Sequence, residues 1–292
     1  MTTWLITGCS TGLGRALAKA VLARGDNAVV TARDANAVKD ITDPYPDTGM
    51  RLPLDVSDLD QIADVHVHAE ERFGGIDVLI NNAGHGHRSA VEEADDTEIA
   101  QLFATNFFGP VALIKTVLPS MRARRGGVIV NISSIAGRRS NPGSGYYAAT
   151  KCALEAVSDA LRKEVAPLGI RVMVIEPGAF RTDFSGRSLT ESSHRIDDYA
   201  DTLGSRRKEN DSTHGHEPGD PARAAEAIIN LVEGSENPFR LLLGSDAVAI
   251  ITAELENQIS EVNAWETVSV TTDLPGVTWN DLSYAQISRT AR

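Results

Sequence analysis

Short, unbroken apolar runs alternate with longer helical patterns along the 292 residues, and that alternation leaves few ways to fold. The runs are "TWLIT", "NAVVTA", "MRLPLD", "IDVLINN", "GVIVNIS", "IRVMVIE" and "FRLLLG". They are rich in Val, Ile and Leu and continuous rather than alternating, as strands covered on both faces should be. Helical patterns lie at about 12–24, 58–73, 97–125, 145–167, 221–233 and 245–262. Such an order implies an α/β fold: a seven-stranded parallel sheet with helices on both faces and right-handed crossovers.

One continuous alternation predicts a single domain over 1–292, with a core of about 3–250. Asp220 and Pro221 supply an N-cap and a first-turn proline for the fifth helical pattern. Pro119, inside the third, predicts a kink or break. Residues 183–219 are polar, rich in Ser, His, Gly and charge, and read as a mobile excursion. After about 263 the periodicity weakens into a C-terminal extension.

Counting 28 basic against 40 acidic residues gives a net charge of −12, which argues against a nucleic acid as partner. Arg122, Arg124 and Arg125 close a helical pattern, where cations suit the dipole. Arg206, Arg207 and Lys208 fall in the polar excursion and read as solvated. The two cysteines, Cys9 and Cys152, suggest neither a disulfide framework nor a metal site, so no metal is expected and a reducing cytoplasm fits. "MTTWLITGCS" does not have the pattern of a signal peptide. No apolar run approaches the roughly 20 residues of a membrane span, so no membrane is expected.

The first strand pattern runs directly into "TGCSTGLG" and then a helix. A glycine turn in that setting lets backbone approach a pyrophosphate, which the free N–H groups and positive dipole end of the helix attract. Further on stands "SGYYAATK". Tyr147 and Lys151 are one helical turn apart, whereas Tyr146 has Thr150 at that spacing and points elsewhere. A phenol is a poor acid–base catalyst at its reference pKa of about 10, and a fixed ammonium nearby lowers that value. Ser133 and Ser134 are neighbours whose side chains should turn apart.

"TGCSTGLG" resembles the TGxxxGxG turn of the short-chain dehydrogenase/reductase family, in its shorter branch. Other family marks follow in order: "NNAG" at 81–84, Asn106 in "NFFG", Ser134 in "ISSIAG", Tyr147 with Lys151, and "EPG" at 176–178 with Thr182 after it. The resemblance implies a Rossmann-like, doubly wound fold and an NAD(P)-dependent oxidoreductase acting on a small carbonyl or alcohol. It implies that Asn106, Ser134, Tyr147 and Lys151 are the catalytic residues, Asn106 holding a water in a proton relay. Lys151 then also binds the nicotinamide ribose. Cofactor contacts are implied for Thr7, Gly8, Ser10, Thr11, Gly12, Leu13, Gly14, Asp55, Val56, Asn82, Ala83, Gly84, Pro177, Gly178 and Thr182, beside Tyr147 and Lys151.

The cofactor choice rests on "NAVVTARD". An NAD site usually carries a carboxylate at the end of the second strand, where this chain has Ala32. Arg33 comes next, and a guanidinium suits a 2′-phosphate. Asp34, one or two positions later, leaves NAD possible, with NADP the preferred expectation. Residues 183–219 stand where the family carries its substrate lid, and Phe180, Phe184 and Leu189 are candidates for an apolar wall. His85 and His87 either face the pocket or are polar loop residues. Family members commonly form homodimers or homotetramers through two long helices, here about 97–125 and 145–167. The tail beyond 263 either caps a partner's pocket or lies on the surface. The alternatives are a catalytically silent redox sensor and, less well matched by the Gly8–Gly12 spacing, an enzyme acting on nucleotide sugars.

Overall fold

A computed structural model describes residues 1–184, 186–213, 215–235, 238–275 and 277. The chain divides into two compact units, Met1–Ala249 and Ile250–Arg292. The elements of the first begin with β1 (Thr3–Ile6), α1 (Gly12–Ala23), β2 (Asn27–Ala32), α2 (Lys39–Thr42), β3 (Gly49–Pro53), α3 (Leu59–Phe73) and β4 (Val78–Asn81). A short β5 (Gly86–Arg88) precedes α4 (Asp96–Phe103), a π turn (Ala104–Phe108) and α5 (Gly109–Arg124). Then come β6 (Gly127–Ile132), α6 (Gly145–Val165), β7 (Ile170–Pro177), β8 (Leu189–Glu191), α7 (Ala200–Thr213), α8 (Pro221–Glu233) and β9 (Arg240–Leu243). Helix α9 (Ser245–Val270) begins in the first unit and supplies the regular structure described in the second. The extension beyond it lies largely outside the described residues, as does any part it plays at a partner's pocket.

The seven expected strands form one parallel sheet in the order β3-β2-β1-β4-β6-β7-β9. Their unbroken apolar character has a direct cause. Successive side chains of a strand point to opposite faces, and both faces are covered. Trp4 and Ile6 pack with Val30, Ile80, Leu17 and Ile228 beneath α1 and α8. Leu5 packs with Val29, Leu79, Ile62, Leu113 and Leu161 beneath α3, α5 and α6. Each fully buried Leu, Ile or Val adds about 1.5–3 kcal/mol of transfer free energy, so the two half-cores fix the register.

From β1 the chain winds through β2 and β3 on one side and continues through β4, β6 and β7 on the other. Between β1 and β4 the order reverses, which opens a crevice at the carboxyl ends of those strands. Three helix starts elsewhere in the fold are capped by side chains. Asp95 and Glu98 form a capping box on α4, Asp58 caps α3, and Asp220 caps α8 ahead of Pro221.

Four expectations change. The break in the third long helix falls at the π turn around Asn106, while α5 continues through Pro119. The 183–219 excursion contains β8, paired with β5, and the helix α7, with Leu203 buried. Arg206 and Arg207 therefore lie on a helix. The Arg207 guanidinium donates to Glu93 Oε2 at 2.6 Å, inside the fold rather than in solvent. Finally, the composite helix Asp96–Arg124, 29 residues with a mean hydropathy of 1.3 over its apolar window, is long and apolar enough to cross a membrane by composition. Its apolar character is explained by Leu102, Leu113, Ile114, Val117 and Met121, all buried in the fold.

Candidate active site

The turn after β1 is tied to the turn after β4. Thr7 is buried; its Oγ accepts from the N–H groups of Asn82 and Ala83, both at 2.9 Å, and donates to the Ile80 carbonyl at 3.2 Å. Asn82 Nδ2 donates to the Thr7 and Gly8 carbonyls at 2.8 and 3.2 Å. The side chains of Thr7 and Asn82 thus couple "TGCSTGLG" to "NNAG". A Cβ on Gly14 would lie 2.3 Å from Asn82 Nδ2, so α1 packs against that junction only because residue 14 has no side chain. Gly8 takes a left-handed φ of +71°, and a Cβ there would meet the Ala83 backbone at 2.8 Å.

The start of α1 fits a dinucleotide pyrophosphate. Thr11 is its N-cap, yet no side chain caps the helix and no acid stands in its first turn. Ser10, Thr11, Gly12 and Leu13 are partly accessible there. Thr182 lies over Gly12, 3.3 Å from where a Cβ would be. Cys9 turns inward and is fully buried, its thiol pushed up to about 12, so it is inert.

Around the rim, Arg33 is exposed just past β2, and Ala32 is buried. The Asp34 carboxylate accepts from the Asn36 N–H at 2.9 Å and caps a 3-10 turn. Asp55 is held below the ordinary carboxylate range, chiefly by the Ser57 hydroxyl at 2.6 Å. Val56 is buried against Gly109 of α5. Pro177 ends β7, and Gly178 and Ala179 sit against Asp246, which accepts from the Ala179 N–H at 2.7 Å.

At the centre, Ser134 caps a 3-10 turn at Ile135–Gly137 and stands beside the Tyr147 phenol, whose pKa it lowers. Ser133 turns the other way, buried, and donates to Glu155 Oε1 at 2.8 Å. The two serines thus part as expected. Tyr146 donates to the Val91 carbonyl at 2.9 Å, away from Lys151. Lys151 is buried, with Nζ 5.8 Å from the centre of the Tyr147 ring, and donates to the Ile132 carbonyl at 2.9 Å. Asn106 is fully buried in the π turn. Its side chain donates to the His85 carbonyl at 2.8 Å and accepts from the His85 N–H at 3.0 Å. A Cβ on Gly84 would lie 3.1 Å from Asn106 Oδ1 and 3.6 Å from Lys151 Nζ, so these three meet. A π turn amid α-helix, as here, is a frequent mark of functional sites.

The charge balance corrects one expectation. Burial pushes the Tyr147 phenol up to about 12, and the Ser134 hydroxyl beside it offsets only part of that. Lys151 is itself pushed down to about 8 by burial. Helical spacing brings the ammonium near the phenol, but the side chain aims at the Ile132 carbonyl; Lys151 is buried and Tyr147 half-buried.

His85 is held below its ordinary value by burial, with Lys151 and Arg33 among the nearby charges. His87 belongs to β5 and faces Thr190 Oγ1 at 3.0 Å and Glu98 at 3.6 Å. On the open side, the Phe184 ring lies 5.7 Å from that of Tyr147, centre to centre. Leu189 and Phe184 both close on Gly86. Phe180 packs at the edge of the α1–α8 core instead.

The short chain dehydrogenase family matches residues 2–192, more than half of the chain. This chain belongs to the short-chain dehydrogenases. "Oxidoreductase BOA17" of Botryotinia fuckeliana is 34% identical over 91% of this chain and 97% of its own length. Among solved structures, a short-chain dehydrogenase from Streptomyces avermitilis is 42% identical, with a TM-score of 0.88, covering 94% of this chain and all of the other. An alcohol dehydrogenase from Thermococcus sibiricus, solved with 5-hydroxy-NADP, is 26% identical over 83% of this chain and 96% of its own, with a TM-score of 0.69. This dehydrogenase is thus an oxidoreductase of a dinucleotide-binding family.

Several residues that organise its site carry no motif. Asp246, Glu155 and Arg240 come from elements distant in sequence. Only their charge marks them, and charge alone does not separate a buried partner from a solvated one.

Proposed function

We propose that this short-chain dehydrogenase is an NADP-dependent carbonyl reductase, with Tyr147 as the proton donor and the reverse alcohol oxidation as the slower direction near neutral pH. The observation that carries this reading is Ser134 beside the Tyr147 phenol, with Lys151 buried one turn on and its Nζ 5.8 Å from the Tyr147 ring centre, near the crevice between β1 and β4. A bound dinucleotide supplies hydride; everything else is the work of side chains. The glycine turn and the uncapped start of α1 receive the phosphates. Ser134 and Tyr147 hold the substrate oxygen between two hydroxyls. With its pKa near 12 the phenol keeps its proton at neutral pH, which is the form a carbonyl needs as hydride reaches carbon. The phenolate left behind gains from the Lys151 ammonium. Alcohol oxidation starts from the phenolate and should speed up as pH rises.

Arg33 is the reason for preferring NADP. It is exposed beyond β2, and the neighbouring Asp34 carboxylate is occupied by its own cap. The 5-hydroxy-NADP bound by the Thermococcus sibiricus relative supports the same choice. Arg33→Ala is expected to lower kcat/KM with NADP by roughly ten- to hundredfold, the range of one lost charged contact, and to leave NAD turnover nearly unchanged. Steady-state comparison of the two cofactors decides this; a preference for NAD in both proteins contradicts it.

Phe184 and Leu189 give the substrate side an apolar wall, which fits a ketone of mid size. Phe108 is 60% exposed and Val157 36% exposed on the two long helices, which suits a homodimer or homotetramer. Free Cys9 and Cys152 suit a reducing cytoplasm. A silent redox sensor is disfavoured because Ser134, Tyr147 and Lys151 are all present and adjacent. Carbonyl-dependent consumption of the reduced cofactor tests the whole reading.

A further inference from the structure

Behind the catalytic serine lies a pair of buried carboxylates that the chemistry above does not use. Glu155 is one helical turn beyond Lys151, and Glu176 is the penultimate residue of β7, just before Pro177 and Gly178. Glu155 is 3% exposed and Glu176 is fully buried. Glu155 Oε1 accepts from Ser133 Oγ at 2.8 Å and Oε2 from Arg240 Nε at 2.9 Å. Glu176 Oε1 lies 3.3 Å from both Arg138 Nη1 and Arg240 Nε. Glu176 Oε2 is buried with no donor on it. The room is tight: a Cβ on Gly137 would lie 2.4 Å from Glu155 Oε1.

Two carboxyl groups cannot both ionise cheaply in one dry pocket, and a proton shared between them relieves the repulsion and satisfies the bare oxygen. Four segments meet at this pair: α6 with Lys151 and Cys152, the end of β6 with Ser133, the 3-10 turn with Arg138, and β9 with Arg240. Three chain segments lead from the pair to the site: Ser133 precedes Ser134, Glu155 follows Lys151 on α6, and Glu176 on β7 precedes the "PG" turn.

We propose that Glu155 and Glu176 form a proton-sharing positioning pair that holds Ser134 and the Lys151 ammonium in place, and that loss of the shared proton loosens both. The proposal rests on the reductase reading for its effect on turnover, but the pair itself can be observed without turnover. Glu176 is pushed up to about 7 by burial and by the Glu155 charge, with Arg138 pulling the other way. Glu155 in turn favours the charged form of Lys151. A carboxyl raised above its ordinary value adds stability that is complete below that value and lost as pH rises through about 7.

The experiment compares the full-length parent with Glu176→Gln and Glu155→Gln. Infrared spectra of the parent should show a buried carboxylic-acid band that disappears as pH rises through about 7, and Tm should fall over the same range. Glu176→Gln imitates the protonated form, so both changes should vanish, with kcat at low pH within about threefold of the parent. Its alkaline loss of turnover should move up toward the pKa of Lys151. Glu155→Gln removes the anion facing Ser133, Arg240 and Lys151; kcat should fall about tenfold and the alkaline loss should begin at lower pH. A merely structural pair would change Tm and leave the pH profile where it was. A parent spectrum without the acid band, or a Glu176→Gln profile superimposable on the parent's, overturns the proposal. Should Glu176→Gln not fold, the parent's spectrum decides alone. If no carbonyl is turned over, the reductase reading fails, while the infrared and melting data still judge the pair.

Discussion

Tyr147→Phe is expected to lower kcat/KM for carbonyl reduction by on the order of 10²–10⁴-fold, the contribution of a positioned acid. Fold and dinucleotide affinity should survive. The phenol oxygen has Ser134 as its neighbour, and the ring that faces Phe184 is retained. The nucleotide is expected at the glycine turn and the start of α1, neither of which depends on the hydroxyl. Steady-state kinetics with nucleotide titration separate the two effects. A drop in kcat with unchanged nucleotide affinity agrees with the assigned role. Loss of both together would mean that Tyr147 holds the site rather than acting in it.

Lys151→Met is expected to abolish most turnover and yet raise Tm. The ammonium is buried, and burial pushes its pKa down to about 8. The sign follows from linkage: between about 8 and the ordinary lysine value of about 10.4 the unfolded chain binds more protons, so stability rises with pH through that window. Below it the folded protein bears the full cost of a desolvated cation. Methionine is similar in length and removes that cost, against about 1 kcal/mol for leaving the Ile132 carbonyl unbonded. The net gain should be on the order of 1–2 kcal/mol near pH 7. Carbonyl reduction by the parent, already falling as the carboxyl pair loses its proton near pH 7, should be lost further as pH rises through about 8, where the ammonium is lost. Thermal melts and kcat against pH check these points. A Tm for Lys151→Met several degrees below the parent's would show that the cation supports the fold.

Much of this molecule is visible in its sequence because local rules suffice. The strand runs are unbroken because both faces of the sheet are covered, and each appears in the sheet in register. The glycine turn, Ser134 and Tyr147 are legible from their positions at strand ends and helix starts. Spacing gives proximity but not aim. Helical geometry brings Lys151 near Tyr147, but only the packed interior shows that its ammonium reaches the Ile132 carbonyl. The polar composition of α7 hides its helix, since a segment with few apolar residues shows no 3.6-residue stripe. Pro119 is a strong local breaker, yet the helix gives way at Asn106, where bonds to His85 from another segment reward a widened turn. Glu155, Glu176 and Arg240 lie between 21 and 85 positions apart and meet through the β7–β9 pairing and the packing of α6, which no local pattern encodes.

The central claim is that this chain reduces a carbonyl with a hydride from reduced nicotinamide. It is tested most directly by following reduced-nicotinamide absorbance in single turnover against a panel of mid-sized ketones, with saturating NADPH. The account predicts ketone-dependent decay in the parent and almost none in Tyr147→Phe. Tight NADPH binding with no decay across the whole panel would contradict it and point instead to a protein that only senses the nucleotide.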